Sequence, residues 1–370
     1  MEQILITGGA GFIGSHLADE LLEKGYKVRV LDNLSSQVHG PDRKIPTYLN
    51  AEVELAVDDI RDSNAVRRAL RGVDAVVHFV ACVGVGQSMY DIARYTSVNN
   101  YGTAVLLEAL IERPVERLLV ASSMSIYGEG LYKGPDGATY NNVERTLEQL
   151  KRSDWELRAP NGDVLAPVPT PEWKAPSLES IYALSKYDQE RMCLMIGRAY
   201  GIPTVAMRFF NAFGPYQALS NPYTGVLAIF ASRLLNNKPP LIFEDGRQLR
   251  DFVSVYDVAR ACRLALETPQ AAGKVFNVGS GHQFTVSEVA RKMAGVLGKN
   301  IEPEIAGKYR VGDIRHCFPD ISQARQILGY EPTWDLEDGL VDLAAWLEGQ
   351  IAHDRFSEMK DELASRGLVV

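Results

Sequence analysis

Cysteine is scarce in this chain, and the few cysteines stand far apart. The four thiols are those of Cys82, Cys193, Cys262 and Cys317. No two of them have the close spacing of a zinc knuckle, and a chain of 370 residues can bury its own core without a disulfide framework. We therefore expect no metal site, and reduced thiols as in a cytoplasmic protein.

Long apolar runs and an excess of basic residues are missing as well. No stretch approaches the ~18 apolar residues that cross a bilayer, and the first residues lack the pattern of a secretory signal. Lysine and arginine number 39 against 47 aspartates and glutamates, so the formal net charge is −8. This sign is wrong for neutralising a nucleic-acid backbone, and we expect neither nucleic acid nor membrane as a partner.

Short apolar runs do alternate with helical periodicity over the first two hundred residues. Six runs are predicted as buried strands, at residues 3–7, 28–31, 53–57, 74–79, 118–121 and 204–207. Strands separated by helices indicate parallel βαβ units. The prediction is an α/β fold with a doubly wound parallel sheet.

Two regions break this rhythm. Residues 128–177 are rich in proline and aperiodic, which predicts an irregular insertion with one short helix near 142–152. After Asn211 the pattern is mixed, with helices predicted at 226–235, 256–267, 286–297 and 321–328. We predict one domain of residues 1–210 and 250–278, and a smaller mixed α/β lobe of residues 211–249 and 279–370.

Glycines cluster where the first strand passes into the first helix, between Thr7 and Gly14. Gly8 permits a tight turn, Gly11 lets backbone N–H groups approach a pyrophosphate, and Gly14 lets helix and strand pack closely. The helix then begins near Phe12 and Ile13 with unpaired N–H groups that face the anion. The alternative is a tight βα turn without any ligand.

A carboxylate at the end of the second strand distinguishes two cofactors. Asp32 stands where a carboxylate accepts hydrogen bonds from ribose hydroxyls, and Asn33 follows with no arginine to meet a 2′-phosphate. This favours NAD over NADP and a Rossmann-type first domain. After the third strand, Asp59 beside Ile60 either accepts from the adenine amino group or is a solvated loop carboxylate.

Tyr182 and Lys186 stand four residues apart, hence on one face of a helix. An ammonium beside a phenol favours the phenolate and lowers the pKa of the tyrosine, which can then exchange a proton with an alcohol. The spacing alone is a weak signal. The fifth strand ends in serines, from Ser122 onward, whose hydroxyls either hold a reacting hydroxyl or carbonyl or belong to a strand-end turn.

Together these motifs resemble the extended short-chain dehydrogenase/reductase superfamily, in its nucleotide-sugar epimerase/dehydratase branch. The resemblance runs from residue 1 to about 345 and includes further matches at 78–81, 99–103, 208–211, 245–252, 276–279 and 309–313. It implies Ser123, Tyr182 and Lys186 as catalytic residues. It also implies cofactor contacts from Asn99 and from the strand-end residues Phe79, Val80, Ala81, Ala121 and Phe209.

For the substrate, the resemblance implies a nucleotide-diphosphate sugar bound to the second lobe. Asn211, Arg250 and Arg310 would hold the diphosphate, and Asp313 the ribose of the nucleotide. Without the resemblance, a surface ion pair would be the simpler interpretation of each arginine. The remaining substrate contacts would come from Val83, Ser123, Ser125 and Tyr182. The helices near 103–111 and 181–200 would pair with their copies in a homodimer, through a four-helix bundle.

The residues after Ser123 reduce the number of reactions that the resemblance leaves open. Dehydratases and decarboxylases of this branch carry a carboxylate at positions that here hold Met124, Ser125 and Ile126. A 4-reductase often uses NADPH, which Asp32 disfavours. The resemblance therefore implies a 4-epimerase with tightly bound NAD.

Among the epimerases, the chain resembles bacterial dTDP-L-rhamnose 4-epimerases, through residues 31–40, 83–90, 123–132 and 220–225. This suggests dTDP-L-rhamnose and dTDP-6-deoxy-L-talose as the substrate pair. A 4-epimerase of UDP-glucose or UDP-glucuronate stays open, as does a 4-ketoreductase or 4,6-dehydratase. A non-enzymatic NAD sensor is the third possibility, although such proteins commonly lose the catalytic tyrosine or lysine. Relatives often carry cysteine knuckles in the insertion, and this chain has none there.

Overall fold

The structure is a computed structural model that describes residues 1–219, 221, 223, 225–310, 312–350 and 356–369. Four residues of the motifs above therefore lie outside the described residues. They are Ser220, Pro222, Thr224 and Val311.

Seven parallel strands form a central sheet in the order β3-β2-β1-β4-β5-β6-β7. Their bounds are β1 Gln3–Thr7, β2 Lys27–Asp32, β3 Glu54–Val57, β4 Ala75–His78, β5 Arg117–Ser123, β6 Thr204–Phe209 and β7 Val275–Val278. The doubly wound sheet is confirmed. The sequence prediction of six strands misses β7.

Helices connect the strands and fill both layers around the sheet. In chain order they are α1 Phe12–Glu23, α2 Ser63–Ala69, α3 Gly102–Glu112, α4 Ile181–Tyr200, α5 Val226–Leu235, α6 Val255–Glu267, α7 Val286–Val296, α8 Ser322–Leu328, α9 Leu336–Leu347 and α10 Phe356–Ser365. Shorter turns of helix lie at Ser36–His39, Val85–Ser88, Ile92–Tyr95, Thr96–Tyr101, Met124–Tyr127, Leu147–Lys151 and Pro269–Ala271. Within the described ranges, none of the helices combines the length and the apolarity that crossing a membrane requires.

Each face of the sheet has its own apolar core. On one face α1, α6 and α8 pack around residues such as Leu17, Ala259 and Ala324. On the other face α2, α3 and α4 pack around residues such as Val66 and Leu106. The inner strands β1, β4, β5 and β6 are almost fully buried, as a parallel sheet between two helical layers requires.

A third core belongs to the predicted lobe, where α5, α7 and α9 surround Phe230, Val289 and Leu340. The helices predicted at 226–235 and 286–297 are thus observed with bounds that differ by one residue or less. The predicted boundaries place α8 in this lobe, yet α8 packs on the sheet, because Ala324 and Leu328 belong to the first core. The division into two domains otherwise stays a prediction.

Short strands complete the lobe and its junction with the sheet. Asn211–Phe213 pairs with Phe252–Ser254, and Leu241–Ile242 pairs with Glu304–Ile305. Leu249–Arg250 lies between Phe284–Thr285 and His316–Cys317. These pairings bring residues 211, 250 and 316 to one side of the molecule.

The insertion of residues 128–177 is folded, in contrast to its aperiodic sequence. Leu131–Lys133 is the middle strand of an antiparallel sheet, between Thr139–Tyr140 and Ala166–Val168. The predicted short helix is observed at Leu147–Lys151. Strands of only two or three residues leave no periodicity for sequence analysis to detect.

Buried ion pairs attach the insertion to the lobe. The guanidinium of Arg315, which has no exposed surface, donates to Glu156 (2.5 Å), Glu244 (3.0 Å) and Asp245 (2.6 and 3.0 Å). Arg145 of the insertion donates to the other oxygen of Glu244 at 2.6 Å. The two arginines therefore share one buried carboxylate, which joins insertion and lobe.

We expect Arg315→Met to destabilise the protein strongly, because Glu244 then stays buried with one partner fewer. Removing one member of a buried charge pair costs about 3–5 kcal/mol. The free energy of unfolding in urea measures this loss. Arg158→Met is the matched control, since its ion pair with Asp154 lies at the surface of the same insertion. Equal stability of both variants would contradict a stabilising role of the Arg315 cluster.

Candidate active site

A cavity of about 830 Å³ lies at the carboxyl ends of the sheet strands. The strand order reverses between β1 and β4. Doubly wound sheets bind their ligands at such a reversal, outside the carboxyl ends of the strands. The topology alone therefore makes this cavity the candidate site.

The cavity brings together all the predicted site residues except one. Those from the cofactor prediction that line it are Gly8, Gly11, Phe12, Ile13, Gly14, Asp32, Asn33, Asp59, Ile60, Phe79, Val80, Ala81, Ala121, Tyr182, Lys186 and Phe209. Those from the substrate prediction are Val83, Ser123, Ser125, Tyr182, Asn211, Arg250, Arg310 and Asp313.

Asn99 is the exception and does not line the cavity. Its side chain is buried in the π-helical turn Thr96–Tyr101, where its amide oxygen accepts from the Cys82 N–H at 2.7 Å. Its amide nitrogen donates to the Cys82 carbonyl and to the Ser185 hydroxyl. A contact between Asn99 and the cofactor stays a prediction. Its polar groups are used to hold the loop after β4, whose residues do line the cavity.

The glycine loop has the shape that a pyrophosphate requires. A Cβ atom on Gly14 would lie 2.6 Å from Gly8 O, and one on Gly8 would lie 2.9 Å from Val80 N. Helix α1 begins after Gly11 without a side-chain cap, whereas α2, α4, α6, α7 and α9 are each capped by a side chain. The first N–H groups of α1 are thus left for an anionic ligand. The loop therefore fits the pyrophosphate of NAD.

The carboxylate of Asp32 is held at the other end of this loop by backbone groups. It accepts from Ala10 N at 3.1 Å and from Leu34 N at 2.9 Å. His39 Nε2 lies 3.9 Å from Asp32, but burial lowers the pKa of His39. A neutral imidazole adds no positive charge here, and the Asp32 carboxylate itself repels a 2′-phosphate, so Asp32 fits NAD. His39 is a neighbour that the sequence motif does not indicate.

Asp59 lines the cavity but has its partners within the chain. Arg61 donates to both of its oxygens at 2.8 Å, and Asn33 donates to one of them at 3.1 Å. These hydrogen bonds, from Arg61 first, hold the pKa of Asp59 well below its ordinary value. Asp59 is therefore paired with Arg61 and is not the fully solvated carboxylate that the sequence left open. Arg61 is a second neighbour of the site that the motif does not indicate.

Tyr182 and Ser123 meet at the end of β5, as predicted. Helix α4 is capped by Ser180, and the Tyr182 N–H donates to the Ser88 hydroxyl at 3.0 Å. Burial raises the pKa of Tyr182 above its ordinary value, and a hydrogen bond with Ser123 opposes this shift. The predicted lowering is wrong for the chain alone. A buried phenolate needs a positive charge beside it to be stable.

The ammonium of Lys186 has a different partner. Its Nζ donates to Gln189 Oε1 at 2.7 Å, one turn further along α4. Burial lowers the pKa of Lys186 to about 8. Lys186 is therefore charged at neutral pH but loses its proton above about pH 8.

A buried polar network fixes Gln189. Its amide nitrogen lies 2.8 Å from Thr103 Oγ1, and that hydroxyl donates to the Asn99 carbonyl. Thr103 Oγ1 must then accept from His78 Nε2, which lies 2.8 Å away, and His78 Nδ1 accepts from Thr7. This assigns a neutral imidazole, in agreement with burial, which lowers the pKa of His78 to about 3. The sequence indicates this network by polar residues, such as His78 and Thr103, at strand and helix positions whose neighbours are apolar.

The predicted substrate residues are partly engaged with one another. Arg310 donates twice to one oxygen of Asp313, at 2.7 and 3.0 Å. The guanidinium of Arg250 donates to the carbonyls of Leu249 and Arg315 and to that of Ile314. The arginines thus reach the cavity with their orientation set by the lobe.

Three amide oxygens at the cavity have no partner among the described residues. They belong to Asn211, Gln217 and Gln248, and all three side chains line the cavity. A buried acceptor without a donor costs free energy, and a ligand hydroxyl or N–H could supply that donor. Only Asn211 was predicted; the other two carry no motif of their own.

A sheet of this order, with a glycine loop at its reversal and a Ser–Tyr–Lys group at its edge, defines a dinucleotide-dependent enzyme of the short-chain dehydrogenase/reductase type. Residues 4–147 and 163–279 match the NAD dependent epimerase/dehydratase family. The chain belongs to this family, and its cofactor is NAD.

Three relatives place the chain within the family. It is 34% identical over 360 residues to the dTDP-L-rhamnose 4-epimerase of Burkholderia thailandensis, over 95% of this chain and 96% of the relative. The structure of UDP-glucose 4-epimerase from Thermotoga maritima with UDP-glucose is 32% identical, with a TM-score of 0.77 over 94% and 99% of the two chains. UDP-glucuronic acid 4-epimerase from Bacillus cereus, with UDP-glucuronic acid and NAD, is 27% identical, with a TM-score of 0.77 over 94% and 99%. The homologues are nucleotide-sugar epimerases, and the chain is an isomerase of that kind.

We expect Gln189→Met to lower the pKa of Lys186 below its value of about 8. The variant keeps the length of the side chain but removes the acceptor of the ammonium. A hydrogen bond to a charged group is worth about 1.5–3 kcal/mol, hence about one to two pKa units. NMR titration of protein labelled at the lysine ε-carbon measures this pKa. Gln323→Met, whose amide donates to the Val275 carbonyl, is the control. An unchanged Lys186 titration in Gln189→Met would show that burial alone sets this pKa.

Proposed function

We propose that this enzyme is a nucleotide-sugar 4-epimerase that acts by transient oxidation at C4, with dTDP-L-rhamnose and dTDP-6-deoxy-L-talose as its substrate pair. The observation that carries the reaction is the wall beside Tyr182. Ser123 is followed there by Met124 and Ser125, and neither can remove a carbon-bound proton as a 4,6-dehydratase must. The relative from Burkholderia supports the choice of sugar.

The chain's own residues would act on the C4 hydroxyl. Tyr182 removes the hydroxyl proton, and Ser123, whose oxygen already accepts from the Ser125 N–H at 3.1 Å, orients the same oxygen atom. NAD, held by the glycine loop and Asp32, would supply the acceptor for the C4 hydride and its donor to the opposite face. The charge of Lys186 offsets the cost of a buried phenolate, if Nζ turns from Gln189 toward Tyr182.

The diphosphate of the substrate would lie between the two parts of the chain. Helix α5, like α1, begins at this cavity without a side-chain cap, after Gly225. Arg250 and Arg310 line the same wall and bring two permanent positive charges to it. An uncapped helix N-terminus can bind an anion. The N-terminus of α1 would bind the diphosphate of NAD, and that of α5 would bind the diphosphate of the substrate.

A second candidate is supported by Glu179. Its carboxylate lines the cavity and accepts from the Ser177 hydroxyl at 2.8 Å. A carboxylate there could remove a proton next to a 4-keto group, as a dehydratase requires. A 4-ketoreductase would instead consume reduced cofactor. Among 4-epimerase substrates, UDP-glucose and UDP-glucuronate are the alternatives.

The purified protein should interconvert the C4 epimers of dTDP-L-rhamnose without added cofactor. NMR of a panel that also contains UDP-glucose and UDP-glucuronate measures the conversion and selects the substrate. Conversion of a UDP-sugar only would refute the proposed sugar. A 4-keto-6-deoxy product, or stoichiometric use of NAD(P)H, would refute the epimerase and select the second candidate.

The same assay tests the role of Tyr182. Tyr182→Phe should lower turnover by about 10²-fold or more, the usual contribution of a positioned acid–base group, while the protein keeps its NAD. Tyr26→Phe is the matched control, because Tyr26 donates to Glu267 and lies outside the cavity lining. Turnover at the level of the control would mean that another group exchanges the C4 proton.

We also propose a homodimer in which α3 and α4 pair with their copies. Large apolar side chains are exposed on α4 or just before α3: Tyr101, Leu184, Met195 and Tyr200. Light scattering should give twice the chain mass of 40.9 kDa. Met195→Glu should shift the protein toward the monomer, whereas Val341→Glu, at an equally exposed site on α9, should not. A monomeric wild-type protein at micromolar concentration would refute the dimer.

A further inference from the structure

Residues 356–369, here called the C-terminal segment, are packed against the cavity although they lie at the end of the chain. Phe356, Met359 and Leu363 of α10 are 6%, 2% and 0% exposed. They share one apolar cluster with residues from both sides of the cavity: Tyr90, Tyr223, Ile229, Leu241, Phe243 and Ala306. No motif or periodicity that we identified in the sequence predicts this packing.

On one side the C-terminal segment contacts the elements behind Tyr182. A Cβ atom on Gly86 would lie 3.3 Å from Leu363 Cδ2, so this leucine rests directly on the turn Val85–Ser88. The hydroxyl of Ser88, in the same turn, accepts from the Tyr182 N–H. The first turn of α4 and the C-terminal segment are thus attached to the same short helix.

Arg366 adds a second contact on this side. Its guanidinium carbon lies 4.3 Å from the centre of the Tyr90 ring, which is within the range of a cation–π interaction. The hydroxyl of Tyr90 in turn lies 2.5 Å from that of Tyr223. Both tyrosines belong to the cluster that buries α10.

On the other side the C-terminal segment contacts the wall that carries Arg310. The backbone of Val369 forms an antiparallel bridge with that of Arg310. The guanidinium of Arg310 lies 5.4 Å from the centre of the Phe243 ring, and Phe243 and Phe356 both line the cavity. The segment therefore fixes the backbone of a cationic residue and adds an aromatic side chain to the same end of the cavity.

We propose that the C-terminal segment is part of the nucleotide-binding end of the substrate site. This inference rests on the proposed function, because that function places a nucleoside diphosphate between Tyr182 and Arg310. The bridge to Val369 holds Arg310 where its charge meets the diphosphate. Phe356 is largely buried, with the guanidinium carbon of Arg233 5.1 Å from the centre of its ring, so it shapes the cavity wall next to the nucleoside. Leu363 keeps the segment seated on Gly86.

The test measures binding of dTDP and UDP to the NAD-loaded protein by calorimetry, which requires no turnover. Leu363→Ala and Phe356→Ala should each raise the dissociation constant about tenfold, which corresponds to about 1.4 kcal/mol. Their NAD content should equal that of the wild type, because the contacts described above join the C-terminal segment to Gly86, Tyr90 and Arg310 and not to the glycine loop. Val341→Ala truncates an exposed apolar side chain on α9 and should bind as the wild type does.

The outcomes separate this inference from the proposed function. Wild-type affinity in both variants, or a wild-type protein that binds neither dTDP nor UDP, would overturn the inference. Loss of NAD together with nucleotide affinity would also overturn it, because the segment would then stabilise the whole fold. Weakened nucleotide binding with normal NAD content supports it, even if the panel of sugars shows no epimerisation.

Discussion

The common direction of seven strands is the constraint on which the site depends. Because all seven are parallel, their carboxyl ends meet at one edge. Thr7, Asp32, His78, Ser123 and Phe209 are the last residues of five strands, so groups that are up to two hundred residues apart become neighbours. No loop has to reach across the molecule to bring the glycine turn and the Ser123 hydroxyl to one cavity.

The same constraint explains what the sequence could predict. The glycine turn, the Asp32 carboxylate and the Tyr182–Lys186 pair each lie within a few residues of one strand or helix end, so local spacing determines their positions. The rule that parallel strands share an edge then places them together. The insertion escaped prediction, because its strands have two or three residues and its attachment depends on the buried pairing of Arg315 with Glu244.

The electrostatics of the site could not be predicted from spacing. A distance of four residues places Lys186 and Tyr182 on one helix face, but it does not show which acceptor the ammonium uses. Gln189 is held by Thr103, and Thr103 by His78, which is 111 residues from Gln189. Since this network is buried, the pKa of Tyr182 rises and that of Lys186 falls. Burial thus favours the protonated phenol, and a positive charge beside it, such as that of Lys186 turned from Gln189, would oppose this shift.

The cavity wall that contains the predicted substrate residues presents both charged groups and neutral hydrogen-bond acceptors. Arg310 is paired with Asp313, whereas Arg250 keeps its full positive charge and is oriented by backbone carbonyls. Among the described residues, the amide oxygens of Asn211, Gln217 and Gln248 have no donor, and inorganic phosphate has few to offer. A sugar offers several hydroxyls and a base offers N–H groups, so these amides favour a nucleotide sugar over a simple phosphate. In a protein of net charge −8, such discrimination has to come from placed groups and not from the overall field.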